Sequence, residues 1–337
     1  MACLAAPRRG VSERATEQAL TFLLAATVAV GVALPFFVHS YLLQMASFAL
    51  VNVIVAIGLT VLIGQAGQVS LASPSFVAIG AYLVTHLTKV LGLSYWVAMP
   101  LSGIGAAAFG AVLGFPALRV RGFYLAIVSL AFLQTTSILI ETLQTYTGGV
   151  RGISVPRPTI FGSRLTNFDF YFVVLAVTVI LFAVARNVSR SPLGRSFRAV
   201  HASENVAASQ GADVARVKMI AFVFSSFYAG IAGALFAPLI GFIDPLEFGL
   251  VTAIHHIVFI IVGGLGSVPG AVYGALTMGV IGELTNGFKE YKELIFNLAL
   301  LAVLFVIPRG LSGIAASLVK FARRRRGPSA EQTVREV

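Results

Sequence analysis

Apolar runs long enough to cross a lipid bilayer follow one another along almost the whole chain. A spanning helix needs about 20 predominantly apolar residues. Only 11% of the residues are charged, whereas a soluble domain carries about 25%. The sequence therefore predicts an all-α polytopic membrane protein with about ten transmembrane helices, several of them broken by Gly or Pro. The predicted spans lie near 18–38, 41–63, 74–91, 94–116, 122–143, 168–187, 218–238, 249–266, 268–286 and 291–308.

The two predicted spans at 249–266 and 268–286 are the least certain part of this count. They are interrupted by Gly263, Gly264, Gly266, Pro269 and Gly270. One re-entrant hairpin in their place would reduce the count to eight or nine spans. Gly266, Gly270 and Gly274 also recur every four residues, so a helix here would carry glycines on one face, where a second helix approaches closely.

Basic residues set the predicted orientation. If the N-terminus is inside, three-quarters of the 24 Lys and Arg residues lie on the inner side, in the N-terminal tail, at Arg119 and Arg121, between Arg186 and Lys218, and from Arg309 onward. The positive-inside rule then places both termini in the cytoplasm. The net charge of +11 is thus interpreted as a sign of orientation and not of nucleic-acid binding.

This orientation divides the chain into three parts. Residues 1–17 form a basic cytoplasmic tail, residues 18–308 the membrane domain, and residues 309–337 a second basic tail. Because Arg8, Arg9 and Arg14 precede a run long enough to span, we interpret that run as a retained first helix and not as a cleaved signal peptide.

A polar stretch interrupts the apolar pattern between the second and third spans. It reads GQAGQVSLASP at 64–74. On a helix, Gln65 and Gln68 would share one face while Ser70 and Ser73 pointed elsewhere, so an irregular break is favoured. At membrane depth such a break must be buried in protein or line a water-filled cavity. We therefore expect a pore-lining break containing these four residues; the alternative is an ordinary cytoplasmic turn, against which the absence of Lys and Arg counts.

Broken helices are where transporters place their substrate sites. The glycine-rich stretch at 263–270 is a candidate counterpart of the first break. His255 and His256 lie just before it, and on a helix they diverge by about 100°. Packing, substrate contact and proton coupling are alternative roles for the two imidazoles.

Several kinds of chemistry lack a signature in the sequence. It has no phosphate-binding loop, no His-Glu-x-x-His, no Gly-x-Ser-x-Gly and no paired-cysteine metal motif. Three acidic residues that could serve ion coupling, Glu141, Asp169 and Glu283, fall at predicted span ends. We therefore expect a non-enzymatic chain that holds neither metal nor cofactor, and whose energy for transport comes from elsewhere.

The longest polar stretch inside the membrane domain, the predicted cytoplasmic coupling segment, covers residues 186–217. Ser191 and Pro192 are suited to a helix start, and no Gly or Pro interrupts 195–210. Gly211 suits a left-handed residue after a helix, and Asp213 suits the cap of the next one. The small residues of 204–211 predict a compact surface for another protein; a solvated loop is the alternative.

The chain resembles the LivM-type permeases of the branched-chain amino acid ABC importer family. The resemblance rests on GLTVLIGQAGQVSLASPSFVAIGAY at 58–82, LRVRGFYLAIVSLAF at 118–132, TGGVRGI at 147–153, SPLGRSFRAVHASENVAASQGADVARVKMIAFVFSSFYAGIAGAL at 191–235 and VGGLGSVPGAVYGA at 262–275. Together they cover most of the chain from about 50 to 285. The basic N-terminal extension and Arg119/Arg121 favour this branch over the shorter sister subunit.

The resemblance implies a bacterial inner-membrane importer made of several chains. A second, LivH-like permease would pair with this one, two cytoplasmic subunits would bind ATP and Mg²⁺, and an extracytoplasmic binding protein would deliver substrate. The external loop 145–167, with its three arginines, and the residues 244–248 would receive that protein. The resemblance and the position in the coupling segment together suggest six residues that contact the ATPase: Arg198, Glu204, Ala207, Ala208, Gly211 and Asp213.

Substrate identity stays open within this class. Relatives carry branched-chain amino acids, urea, amides, or aromatic and other organic acids, and the departures at 71–76 and at His255 and His256 agree with a substrate other than leucine, isoleucine or valine. The alternative function is a stand-alone channel or ion-coupled carrier sensitive to His86, His255 or His256. A scaffold or receptor without transport is the third hypothesis.

Overall fold

The computed structural model describes residues 27–117, 123–160 and 163–285, together with 294–295, 298 and 301. Both predicted tails and nearly all of the predicted span 291–308 lie outside these residues, as do Arg119 and Arg121. The helices are α1 (Thr27–Phe36), α2 (Ser40–Gln65), α3 (Ser73–Lys89), α4 (Tyr95–Ala117), α5 (Phe123–Thr142), α6 (Gln144–Thr147), α7 (Asn167–Arg190), α8 (Pro192–Ala202), α9 (Glu204–Ser209), α10 (Val214–Ile240), α11 (Leu250–Gly263) and α12 (Val268–Thr285).

These helices confirm a polytopic, almost entirely helical membrane protein. Among the described residues, five segments are long and apolar enough to span: Ser40–Gln65, Tyr95–Phe115, Tyr124–Thr142, Asn167–Arg190 and Val214–Ile240. Helices α1 and α11 are apolar but shorter in the part that the structure describes. Ten spans, and the cytoplasmic location of both termini, stay predictions.

Helix α10 is the central element of the bundle, and it packs against α2, α3 and α4. Small residues make this packing close: a Cβ atom on Gly80 of α3 would lie 2.1 Å from the carbonyl oxygen of Gly230. With 27 residues, α10 is about 40 Å long. Its two ends therefore define opposite ends of the molecule, called here the α9 end and the β4 end.

Two short strand pairs accompany the helices. Strand β1 (Ile153–Ser154) pairs antiparallel with β4 (Phe242–Ile243), with Ile153 opposite Ile243. Strand β2 (Thr159–Ile160) pairs antiparallel with β3 (Ser163–Arg164). The first pair joins the loop after α6 to the residues that follow α10.

Helices α11 and α12 form a tight hairpin around a break at 264–267. A Cβ atom on Gly274 would lie 2.1 Å from the carbonyl oxygen of Phe259, so Gly274 and Gly270 allow the close approach predicted for the glycine stripe. The inclusion of Gly266 in that stripe was wrong, because Gly266 lies in the turn with φ +83°. With 14 residues, α11 is about 21 Å long, less than the thickness of a bilayer core.

The coupling segment contains two short helices where an uninterrupted stretch was predicted at 195–210. Ser203, with φ −165° and ψ 116°, ends α8 and caps α9 by accepting a hydrogen bond from Val206 N–H. Serine competes for backbone hydrogen bonds in this way, which favours a break over continued helix. The predicted roles at the other end are confirmed: Gly211 is left-handed (φ +84°), and the Asp213 side chain accepts from Arg216 N–H at 3.0 Å.

Candidate functional site

The polar stretch after α2 is an irregular break, as predicted. Residues Thr60–Gln65 form a π-helical end of α2, and the chain is irregular over 66–72 before α3 begins. Gly67 has φ +70°, and Gln68 N–H donates to the carbonyl of Leu62 at 3.0 Å. Wide turns of this kind are frequent at functional sites.

The two helix breaks meet each other. The Gln65 side-chain amide donates to the carbonyl of Gly266 at 3.2 Å and to the hydroxyl of Ser189 at 2.8 Å. A Cβ atom on Gly64 would lie 2.3 Å from the Gly266 nitrogen, so the two backbones are in direct contact. We call Gln65, Ser189 and Gly266 the Gln65 junction; it joins α2, α7 and the α11–α12 hairpin.

Helix α8 closes over the junction at the α9 end. The His201 ring lies against Gly67: a Cβ atom placed on Gly67 would be 3.0 Å from the nearest imidazole carbons. The Arg198 guanidinium donates to the carbonyl of Ser189 at 2.9 Å. A cavity of about 390 Å³, the junction cavity, lies between them and is lined by Gly64, Gln65, Arg198, His201, Ala202, Leu265 and Gly266.

A second cavity, of about 240 Å³, lies beside the residues that follow β4, and we call it the polar cavity. Four of its lining side chains are polar: Asn52, Glu247, Thr252 and His256. Its remaining walls are apolar, formed by Phe48, Val51, Val55, Pro74, Val77, Phe236 and Phe248. Apolar walls with a few convergent polar groups are typical of small-molecule sites.

A hydrogen bond between α3 and α11 lies at the buried side of the polar cavity. Ser73 Oγ is 3.1 Å from His256 Nδ1, and both residues are buried. The lining includes His256 but not its half-buried neighbour His255. The predicted divergence of the two imidazoles is therefore confirmed.

Buried polar groups separate the two cavities. His256 of the polar cavity lies about 10 Å along α11 from Gly263, the last residue of that helix, and Leu265 of the junction cavity follows two residues later. In this region the Ser70 hydroxyl accepts from Ala72 N–H at 3.3 Å. Within the described part of the chain, four nearby side-chain atoms are buried without a hydrogen-bond partner: Thr60 Oγ1, Gln65 Oε1, Gln68 Nε2 and Ser75 Oγ.

A third cavity has a different character. It has a volume of about 480 Å³ and lies between α1, α2, α7 and α12, with almost entirely apolar walls. Its borders adjoin segments outside the described residues, before α1 and after α12. A polar solute would find few hydrogen-bonding partners there, so the polar cavity and the junction cavity are the candidate sites.

Comparison with known proteins assigns the chain to a family. Residues 41–308 match the family described as the branched-chain amino acid transport system permease component. The chain belongs to this permease family. No solved structure matches the chain.

Individual relatives agree with the family assignment. The permease is 34% identical over 313 residues to the high-affinity branched-chain amino acid transport system permease protein LivM of Escherichia coli, covering 86% of this chain and 74% of the relative. It is 27% identical to LivH of Salmonella typhimurium, covering 77% and 90% of the two chains. It is also 27% identical to BraD of Pseudomonas aeruginosa, covering 82% and 97%.

The predicted pathway residues of this permease fall into two groups. Gln65 belongs to the junction, and Gln68 and Ser70 are buried in the break beside it. His256 instead lines the polar cavity and Ser73 is hydrogen-bonded to His256, whereas His255 lines neither of the two cavities. The break therefore lies in the wall between the two cavities, since Gly64 and Gln65 before it line the junction cavity and Pro74 after it lines the polar cavity.

Sequence reasoning missed three polar residues of the polar cavity, Asn52, Glu247 and Thr252. Asn52 had a usable signal, because it is the one strongly polar side chain in the middle of an apolar run, where such groups are costly. The sequence analysis placed Glu247 only in a predicted external loop. The pKa of Glu247 is raised above its usual value, first by loss of hydration and then by the nearby Asp244 carboxylate.

The predicted coupling residues do not form one continuous exposed surface. Ala207 is buried, and the Glu204 carboxylate lies 2.6 Å from the Lys218 ammonium. Ala208, Gly211 and Asp213 are exposed. Arg198 lies on α8 at the junction instead.

The β4 end presents the two loops that were predicted to act together. Pairing of β1 with β4 holds them side by side, and Val155 N–H donates to the carbonyl of Gly241 at 2.8 Å. The Lys89 ammonium donates to the carbonyl of Ser154 and ties α3 to the same place. Arg151 and Arg157 are exposed on this surface.

Proposed function

We propose that this permease forms part of the translocation pathway of a binding-protein-dependent ABC importer in the bacterial inner membrane. The observation that carries the proposal is the similarity over 86% of the chain to a branched-chain amino acid transport permease. The geometry supports it, because the junction cavity at the α9 end and the polar cavity farther along the bundle have buried polar side chains between them.

Solute would enter the polar cavity from the outer side and leave through the junction cavity. Asn52, Thr252 and His256 offer hydrogen bonds there, and the aromatic and aliphatic walls accept an apolar side chain. The unpartnered Gln68 and Ser75 groups would find partners when the wall opens. Buried polar groups without partners are rare in a single stable state.

Energy would come from two cytoplasmic subunits that bind ATP and Mg²⁺. They would contact the α8–α9 pair, which reaches the Gln65 junction through Arg198 and His201. ATP would then favour one of two arrangements of the bundle because the ATPases bind that arrangement more tightly. The permease itself performs no chemistry in this scheme.

Two further partners complete the proposed importer. The paired relatives named LivM and LivH support a second, LivH-like permease. A binding protein would dock on the β4 end, where Arg151 and Arg157 are exposed and would pair with its acidic residues. These contacts would deliver solute beside the polar cavity.

The proposed substrates are branched-chain amino acids or a related small polar solute such as urea, an amide, or an aromatic or other organic acid. The test is uptake of radiolabelled leucine by vesicles that contain the permease with its paired permease and ATPases, with the binding protein added. Unlabelled valine, urea and benzoate serve as competitors. Leucine uptake that only valine suppresses supports the amino-acid class, whereas the absence of ATP-driven uptake of leucine, and of radiolabelled urea and benzoate in the same assay, contradicts the proposal.

The alternative, a stand-alone channel or ion-coupled carrier, rests on His256 in the polar cavity. It predicts proton- or sodium-dependent flux through the permease without ATPases, lost when His256 is replaced. The same vesicles without ATPase subunits separate this alternative from the importer.

A further inference from the structure

Glu204 begins α9 and is held by Lys218 of α10. Their carboxylate and ammonium groups are 2.6 Å apart, and the side chains are only 28% and 7% exposed. A cation this well buried is costly unless it is paired. Glu204 therefore satisfies a charge inside the permease.

The rest of α9 is divided between an anchored face and an exposed face. Ala207 is buried beneath the helix, while Asn205, Val206 and Ala208 are exposed. At the far end, Ala212 N–H donates to the carbonyl of Ala207 at 3.0 Å, so the left-handed turn at Gly211 fixes the exit of the helix. The exposed face carries no charge.

We propose that the Glu204–Lys218 ion pair is the link through which movement of α9 is passed to α10, and that Glu204 is a positioning residue and not a contact for the ATPase. This inference rests on the proposed function, in which α9 faces an ATPase. Without the pair, the six-residue α9 would be joined to α10 mainly by a turn and by Ala207. With it, displacement of α9 moves α10, whose Phe236 lines the polar cavity.

This assignment has a consequence for the partner. A carboxylate that faced the ATPase would require a basic groove there, since an unpaired charge at an interface core is costly. A neutral exposed face containing Val206, which is 55% exposed, instead fits an apolar groove with a few polar groups. The ion pair then acts within one chain and not across the interface.

Charge reversal in the assembled importer tests the proposal. Glu204→Lys and Lys218→Glu are each expected to lower solute uptake per ATP hydrolysed by about tenfold, because each brings like charges together in a buried place. The double variant, Glu204→Lys with Lys218→Glu, restores the pair in reverse and should recover uptake per ATP to within about threefold. Arg216→Gln is the matched control, since its contact with Asp213 is exposed and should matter little.

Failure to recover overturns the proposal. If the double variant accumulates normally and still hydrolyses ATP without uptake, Glu204 acts on the partner and not on Lys218. If the single variants fail to fold, the double variant alone decides, since accumulation and uptake at the original level require the reversed pair. Co-purification of ATPase subunits with the unaltered permease is measured in parallel, and its absence would count against the proposed function. In that case, the unfolding temperatures of the two single variants, the double variant and the unaltered permease alone still measure the coupling of residues 204 and 218.

Discussion

At the scale of single residues, buried polar groups without partners carry the most information. Gln68 is 4% exposed, and its Nε2 atom has no hydrogen-bond partner within the described residues. A group in this situation costs stability unless it serves another state of the protein. We therefore expect the wall between the two cavities, where Gln68 lies, to rearrange during transport.

Gln68→Leu should therefore separate stability from transport. The variant loses no hydrogen bond of the present state, so its unfolding temperature should stay the same or rise. Uptake should fall about fivefold to tenfold, as expected for loss of about 1 kcal/mol of hydrogen bonding in another state. Gln44→Leu is the control that should retain uptake, because it removes a 3.3 Å hydrogen bond to the carbonyl of Leu239 that lies away from the wall. Equal uptake by both variants would mean that the break is an ordinary turn and does not line the pathway.

Gly64 offers a second test at this scale. A Cβ atom there would lie 2.3 Å from the Gly266 nitrogen and 2.7 Å from its Cα, and backbone cannot move aside as a side chain can. Gly64→Ala should destabilise the permease by about 1–3 kcal/mol, measured by thermal unfolding in detergent. Gly249→Ala, whose nearest neighbour is 3.6 Å away, should change little; similar unfolding temperatures for the two would mean that the breaks do not touch.

The sequence predicted individual polar positions well but not their partners. Gln65, Gln68, Ser70 and Ser73 stand out because polar groups are rare in an apolar chain. Local spacing does not reveal that Gln65 bonds to Ser189, 124 positions away, or that Ser73 meets His256. Asn52 carried the same signal as these residues and was overlooked.

At the scale of elements, the connection between α10 and α11 forms part of the lining of the polar cavity, through Glu247 and Phe248. Glu247 lies on this connection, and the Thr252 hydroxyl donates to its carbonyl at 2.6 Å. A carboxylate at the cavity suits the ammonium group of an amino acid. Because burial and Asp244 raise the pKa of Glu247, its charge is lost at a higher pH than that of an ordinary glutamate.

Uptake of an amino acid should accordingly fall as the pH is lowered into the range just above the usual pKa of glutamate. The ionised form predominates above the raised pKa, so the ammonium contact is present at neutral pH and is lost on acidification. Glu247→Gln should reduce uptake at neutral pH and flatten this part of the profile. Glu141→Gln removes an exposed carboxylate from α5 and should leave the profile unchanged; an unaltered profile in Glu247→Gln would exclude this role.

Helix boundaries were largely predictable because apolar runs, Gly and Pro mark them. The break at Ser203 was not, since serine is also common within helices and only its backbone angles and its cap on Val206 reveal the stop. Likewise, Gly266 follows the four-residue spacing of Gly270 and Gly274 but lies in a turn. Spacing cannot distinguish a helical glycine from one that ends a helix.

At the scale of the whole molecule, the proposed functional parts of the permease lie along one axis. The exposed face of α9 lies at one end, the Gln65 junction, the buried polar wall and the polar cavity follow in that order, and the β1–β4 surface lies at the other end. Composition predicted the membrane class, and the family resemblance supplied the partners. The sequence alone could not place the two breaks in contact, because they are about 200 residues apart and belong to different helices.

The most direct test of the central claim is solute accumulation in proteoliposomes containing the permease, its paired permease and both ATPases, with Mg-ATP inside and the binding protein and radiolabelled leucine outside. The account predicts uphill accumulation that stops when ATP, either ATPase or the binding protein is omitted, and no uphill accumulation by the permease alone. Uphill accumulation by the permease alone, driven by a proton or sodium gradient, would contradict it.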